Sequence, residues 1–159
     1  MHRLFSLAVF LLLAVAATAI GGQFTGGDWY YVLFTPAWTP SPMVMTSVWS
    51  VLFVLMAVSA WMVWDTMRGL AAAALAWWGL QLLLSIMWSL MFFGWHRIGL
   101  ATAIVSLWFV VVVIVIKTFR PIKPEAASLM VPLAAWLIFL CALNFNQWQL
   151  NGGGLGSIF

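Results

Sequence analysis

The sequence predicts an all-α membrane protein: a bundle of five transmembrane helices with a long, lid-like loop between the first and second. Three observations predict it. The chain of 159 residues is 66% hydrophobic and only 6% charged, against about 25% charged in an average soluble domain. Its apolar residues gather into five runs, each close to the roughly 20 residues that cross a bilayer as a helix and far longer than the roughly 10 of a barrel strand. Three of the four joints between runs are short, which forces neighbouring runs to be antiparallel.

The runs are residues 4–20, 43–64, 70–93, 99–116 and 126–148, and we read 1–159 as one transmembrane domain. The first run also has the look of a secretory signal, with MHR before it and AATA at its end; its length suits a span, and it is taken as one. The short joints are DTMRG (65–69), GWHRI (94–98) and TFRPIKPE (118–125). Pro124 and Glu125 suit the first turn of the fifth helix, where a missing N–H is harmless and a carboxylate meets the positive helix end. Pro132 lies further in and is expected to kink that helix. Small residues at Ala14, Thr18 and Gly22, and at Ala72 and Ala76, offer seams for close helix contact, the second pair pointing to a homodimer through the third helix.

Six basic and three acidic side chains are too few and too scattered for a nucleic-acid footprint, but they bear on topology. Arg3, Arg68, Lys117, Arg120 and Lys123 fall on one side of a five-span arrangement and Arg97 on the other. The positive-inside rule then puts the amino terminus in the cytoplasm of a bacterial cell, with the 21–42 loop and the carboxyl terminus outside. A bacterial or mitochondrial outer membrane, where that rule carries no weight, remains the alternative. The single cysteine, Cys141, sits inside an apolar run as a small packing residue. No Cys and His grouping offers a metal site, no Ser, His and acid set can be assembled, and no bound cofactor is implied.

Polar residues within the runs are uncharged and patterned. Gln81, Ser85, Trp88 and Phe92 fall on one stripe of the third helix, and Trp136, Leu140, Asn144 and Gln147 on one stripe of the fifth. Amides in hydrocarbon are costly unless paired, so both stripes face protein or an internal space. They either hydrogen-bond helix to helix or line a pocket, and spacing alone leaves both readings open. Tryptophan is abundant at 12 residues. Trp61, Trp64, Trp77, Trp95 and Trp148 suit the interfacial belt, whereas Trp49, Trp88 and Trp136 lie deeper, where indoles make flat walls for a large planar ligand or fill an ordinary core.

The stretches DWYYVLFTPAWTPSP (28–42), VW (48–49), AWMVW (60–64), QLLLSIMWSLMFFG (81–94) and VPLAAWLIFLCALNFNQWQLN (131–151) resemble the translocator protein family, also called tryptophan-rich sensory protein or peripheral benzodiazepine receptor. The resemblance follows the family's order over nearly the whole chain. It implies a dimeric five-helix membrane receptor or carrier that binds porphyrin-type tetrapyrroles, and in some members cholesterol or drug-like molecules, in a pocket under the first loop. Trp29, Tyr30, Pro36, Trp38 and Pro40 match the loop motif and Trp49 the tryptophan opening the second helix. Gln81, Trp88, Phe92 and Phe93 match the third-helix motif, and Trp136 and Asn144 the fifth. The resemblance also implies an alternative activity, light-dependent porphyrin degradation, for which the matching residues are Trp49 and Trp136. The chain departs from the family pattern at Ser41, Met43 and Ser85, and from the cholesterol-type motif at Phe145 and Gln149.

On this reading the ligand site is built from Trp29, Tyr30, Trp38, Pro40, Trp49, Gln81, Ser85, Trp88, Phe92, Trp136, Leu140 and Asn144, and its partners are a hydrophobic small molecule and membrane lipid. The prolines of the loop restrict its backbone, and Trp29, Tyr30, Phe34 and Trp38 give it an apolar underside, as a stiff lid requires.

Overall fold

The computed structural model describes residues 2–24, 27–67 and 71–153. Arg68 and the end of the GGGLGSIF tail lie outside them. Five helices are long and apolar enough to cross a membrane, over Arg3–Gly21, Pro42–Thr66, Ala72–Gly94, Ile98–Phe119 and Pro124–Leu150, and no strand occurs among the described residues. The protein is an integral, multi-pass, all-α membrane protein. Its helices are α1 (His2–Gly21), a short α2 (Gly27–Val32), α3 (Pro42–Met67), α4 (Ala72–Ser89), α5 (Ile98–Phe119), α6 (Pro124–Leu129) and α7 (Val131–Leu150).

Around the bundle α1 packs on α3 and α4, α4 on α5, and α5 on α7, while α3 closes on α6 and only grazes α7. Apolar burial does not drive helices together in lipid, so close approach and hydrogen bonds must. On α5 the residues Ile98, Ala101, Val105, Trp108, Val112, Val115 and Phe119 form a buried 3–4 stripe, the spacing that keeps one helix face on its neighbours. On α1 the close approach is made by Ala14 and Ala17, both buried, and by Gly21, where an added Cβ would stand 3.5 Å from the Ser89 Cβ. Thr18 and Gly22 of the anticipated seam are exposed. The same turn is tied by the Ser89 hydroxyl, which donates to the Gly21 carbonyl at 2.7 Å.

Pro132 does more than kink the fifth span. Lacking an N–H, it cannot continue the ladder from α6; the chain turns at Met130, whose N–H donates to the Ala127 carbonyl, and the helix restarts with Ala134 bonded to Met130. At the end away from the loop, Ser59 of α3 donates to the Ala126 carbonyl of α6 at 2.7 Å, fully buried. Arg3 pairs there with Asp65 at 3.2 Å, and Trp61 Nε1 donates to the Arg3 carbonyl. That end carries Arg3, Lys117, Arg120 and Lys123.

Candidate functional site

The loop between α1 and α3 covers the opposite end and is fastened at separate points. Asp28 in the first turn of α2 suits its positive end, and α2 sets two rings against the end of α4. Trp29 stacks on His96 at 4.2 Å and 15° and meets Phe92 edge-on; Tyr30 lies on Phe93 at 5.7 Å. Those partners are aimed by an irregular end to α4. Residues Leu90–Gly94 form a π-helical turn, closed by Trp95 N–H to the Leu90 carbonyl and Arg97 N–H to the Met91 carbonyl, with His96 at φ 57° in the left-handed region. Such a turn at a helix end is a recurrent feature of functional sites.

Further along the loop, the Phe34 N–H donates to Asn151 Oδ1 at 3.0 Å, and Asn151 Nδ2 donates to the Phe34 carbonyl at 2.8 Å. One side chain at the end of α7 thus holds both backbone groups of a loop residue as a paired strand would. The Phe34 ring itself points away, 70% exposed, so the expectation that it belongs to the underside is corrected: its backbone is gripped instead. Pro36 and Thr39 close a turn, Trp38 lies edge-on to Phe139 of α7 at 5.5 Å, and Ser41 with Pro42 opens α3.

Below the loop the bundle interior is occupied by indoles. Trp49 lies parallel to Trp108 at 5.6 Å and 5°, beside Trp88 at 6.1 Å, and edge-on to Trp136 at 6.2 Å. The polar stripes serve these rings. Gln81 Oε1 accepts from Trp108 Nε1 at 3.0 Å; Asn144 Oδ1 accepts from Trp88 Nε1 at 3.1 Å while its Nδ2 donates to the Leu140 carbonyl. Trp78 Nε1 donates to the Met56 carbonyl. Ser85 bonds only within its own helix, to Leu82. Among the described residues Trp136 Nε1 and Gln81 Nε2 are buried donors without an acceptor, and such groups cost about 1–3 kcal/mol each.

Open space lies to one side of this cluster. A broad, open apolar groove of about 740 Å³ runs between α3 and α7, lined by Val48, Leu52 and Leu55 on one wall and Ala135, Trp136 and Phe139 on the other, with Ser47, Val51 and Pro132 at its margins. Of the residues singled out from sequence, Trp136 alone lines it; Trp49 and Trp38 touch its aromatic wall through Trp136 and Phe139. Gln81, Trp88, Phe92, Leu140 and Asn144 are in the packed interior, Trp29 and Tyr30 dock the loop, and Pro40 stands half-buried before α3. Sequence reasoning passed over Trp108, Phe139, Asn151 and the contact of His96. Among the described residues no group of His, Cys, Asp and Glu stands close enough to hold a metal.

The architecture of five spans, aromatic loop and indole interior can be set beside known proteins. The family model described as TspO/MBR family matches residues 8–149. The chain belongs to the TspO/MBR family. Protein CrtK of Rhodobacter capsulatus is 34% identical over 148 residues, covering 92% of each chain. The tryptophan-rich protein TspO of Chlorobaculum tepidum is 33% identical over 94% of this chain and 98% of its own, and the translocator protein of Bos taurus 31% identical over 89% and 88%. Membership extends across all five spans, from α1 to the end of α7, and so includes the loop, the indole cluster and both walls of the groove.

Proposed function

We propose that this protein is a membrane receptor or carrier that binds a tetrapyrrole, or a similarly flat hydrophobic molecule, in the space between α3 and α7 beside the docked loop. The observation that carries the reading is the wall made by Trp136 and Phe139, stacked at 5.0 Å and 30°, which faces an open apolar groove of about 740 Å³ between α3 and α7 and offers a flat ligand an aromatic surface. A family whose members are named translocator and sensory proteins suits transport or sensing. Titrating protoporphyrin into the purified protein and following tryptophan quenching tests the reading: saturable binding that Ala135→Trp abolishes is expected, and a flat response overturns it.

A second reading is favoured by one arrangement. Trp49 is in ring contact with Trp88, Trp108 and Trp136, so an electron given up by Trp136 to a photoexcited tetrapyrrole has neighbouring indoles to replace it. Light-dependent bleaching of the Soret band, lost in Trp49→Phe and Trp136→Phe, would mark an enzyme; binding without bleaching marks the receptor. The exposed stripe Ala72, Ala76, Leu80, Leu83 and Met87 of α4 supports a homodimer, and the basic end opposite the loop supports a cytoplasmic amino terminus.

A further inference from the structure

The groove has two conceivable ways in, and they differ in construction. From water, a ligand must pass the loop, which is closed by the Asn151 grip on Phe34, by Trp29 on His96, by Tyr30 on Phe93 and by Trp38 on Phe139. From the side, the edges are Ser47 and Val51 of α3 and Pro132 and Ala135 of α7, all exposed, and no hydrogen bond or ring contact joins one edge to the other among the described residues.

The depth of the side opening decides what reaches it. Ser47 stands five residues from Pro42 and Phe139 eleven from Leu150 at the loop end of their spans. At about 1.5 Å per residue the groove therefore begins about 7–16 Å below the helix ends and runs on towards Pro132, within a hydrocarbon layer about 30 Å thick. The opening has a structural cause: Ser59 holds α3 to α6, and α7 restarts after Met130, with Pro132 in its first turn, without following α3. Its lining carries one hydroxyl, at Ser47, and no charged residue.

We infer that the ligand enters and leaves sideways, from the bilayer interior between Val51 and Ala135, and that the protein therefore takes up membrane-dissolved tetrapyrroles whose inserted portion is neutral. The inference rests on the proposed binding function, deepening it by naming the source and charge state of the ligand. Trp136 is the inner wall of this passage, standing between the groove and Trp49.

The test uses the full chain in nanodiscs, protoporphyrin dimethyl ester as probe, and stopped-flow quenching of tryptophan. The association rate is expected to follow the mole fraction of probe in the bilayer when lipid is varied at constant total probe. Val51→Phe, which narrows the edge, should slow association and dissociation together by about tenfold, the effect of an overpacking barrier of about 1.4 kcal/mol. Val51→Ala should speed both. Asn151→Ala, which frees the loop, should leave the rates as they were. Rates accelerated by Asn151→Ala and indifferent to both Val51 variants would overturn the side entry while leaving binding intact. Absence of equilibrium binding by the unmodified protein would overturn both this inference and the function it rests on.

Discussion

The seam that joins α4, α5 and α7 and the seam between α3 and α7 are made from the same residue types and end differently. In the first, every deep indole is tied across helices: Trp108 to Gln81 and Trp88 to Asn144, among Val105, Val112 and Leu140 with almost no exposure. In the second, the Trp136 ring lines the open groove while its buried N–H has no acceptor. Interhelical hydrogen bonds replace the missing hydrophobic drive in lipid, so the tied seam is where the bundle is held and the untied seam is where it can open. Stability and binding are thereby assigned to separate sides of one cluster of rings.

The sharpest way to break that division is Trp108→Ala. It removes a fully buried ring from the tied seam and should cost about 3–5 kcal/mol, seen as a large fall in the unfolding midpoint in detergent. Next comes Asn144→Leu, which leaves the Trp88 N–H buried without an acceptor and should cost about 1–3 kcal/mol by the same measurement. On the untied side Trp136→Phe should leave stability unchanged or raise it by up to about 1 kcal/mol, since an unsatisfied donor disappears, while tetrapyrrole affinity falls in the quenching titration. Equal destabilisation by Trp136→Phe and Asn144→Leu would erase the contrast.

Smaller effects belong to the loop. Asn151→Ala removes two hydrogen bonds to Phe34 and should raise amide exchange in residues 27–41 by about 1 kcal/mol of lost protection, with the spans unaffected. Burial pushes the Tyr30 phenol above its ordinary value. With the folded-state value the higher one, its contribution to docking is complete below the unfolded value and is lost as pH rises through the folded value. Loop exchange should therefore accelerate at strongly alkaline pH, and Tyr30→Phe should remove that dependence.

Much of this was legible in the chain. The five spans follow from run length, and each of the five long apolar helical segments begins and ends within a few residues of its run, whereas the short helix Gly27–Val32 in the loop and the break at Met130 were not anticipated. Both polar stripes face inward, with the amides chiefly serving as acceptors for indoles. Trp108 escaped notice for a physical reason: the buried stripe of α5 carries no amide or hydroxyl, Thr102 and Ser106 lying outside it while Val105 and Trp108 are buried, so no polar residue marks its inner face. Asn151 escaped because a polar residue beyond the last turn of a span is ordinary, and only its distance to Phe34, 117 positions away in sequence, gives it a role. Phe34 was misjudged because an aromatic residue in a loop suggests a buried ring, whereas here its backbone makes the contact.

The sequence by itself determined the membrane, the number of crossings, the inward stripes and the aromatic character of the loop, because transfer of backbone and side chains into hydrocarbon is a local requirement that each run satisfies alone. Only the tertiary structure decided which indoles find acceptors, that the loop is clasped by Asn151, and that the space opens between α3 and α7. Those outcomes depend on how far apart two helices stand, and that separation is set by the break at Met130 and Pro132 and by the grip of Ser59 on α6, acting on the bundle as a whole.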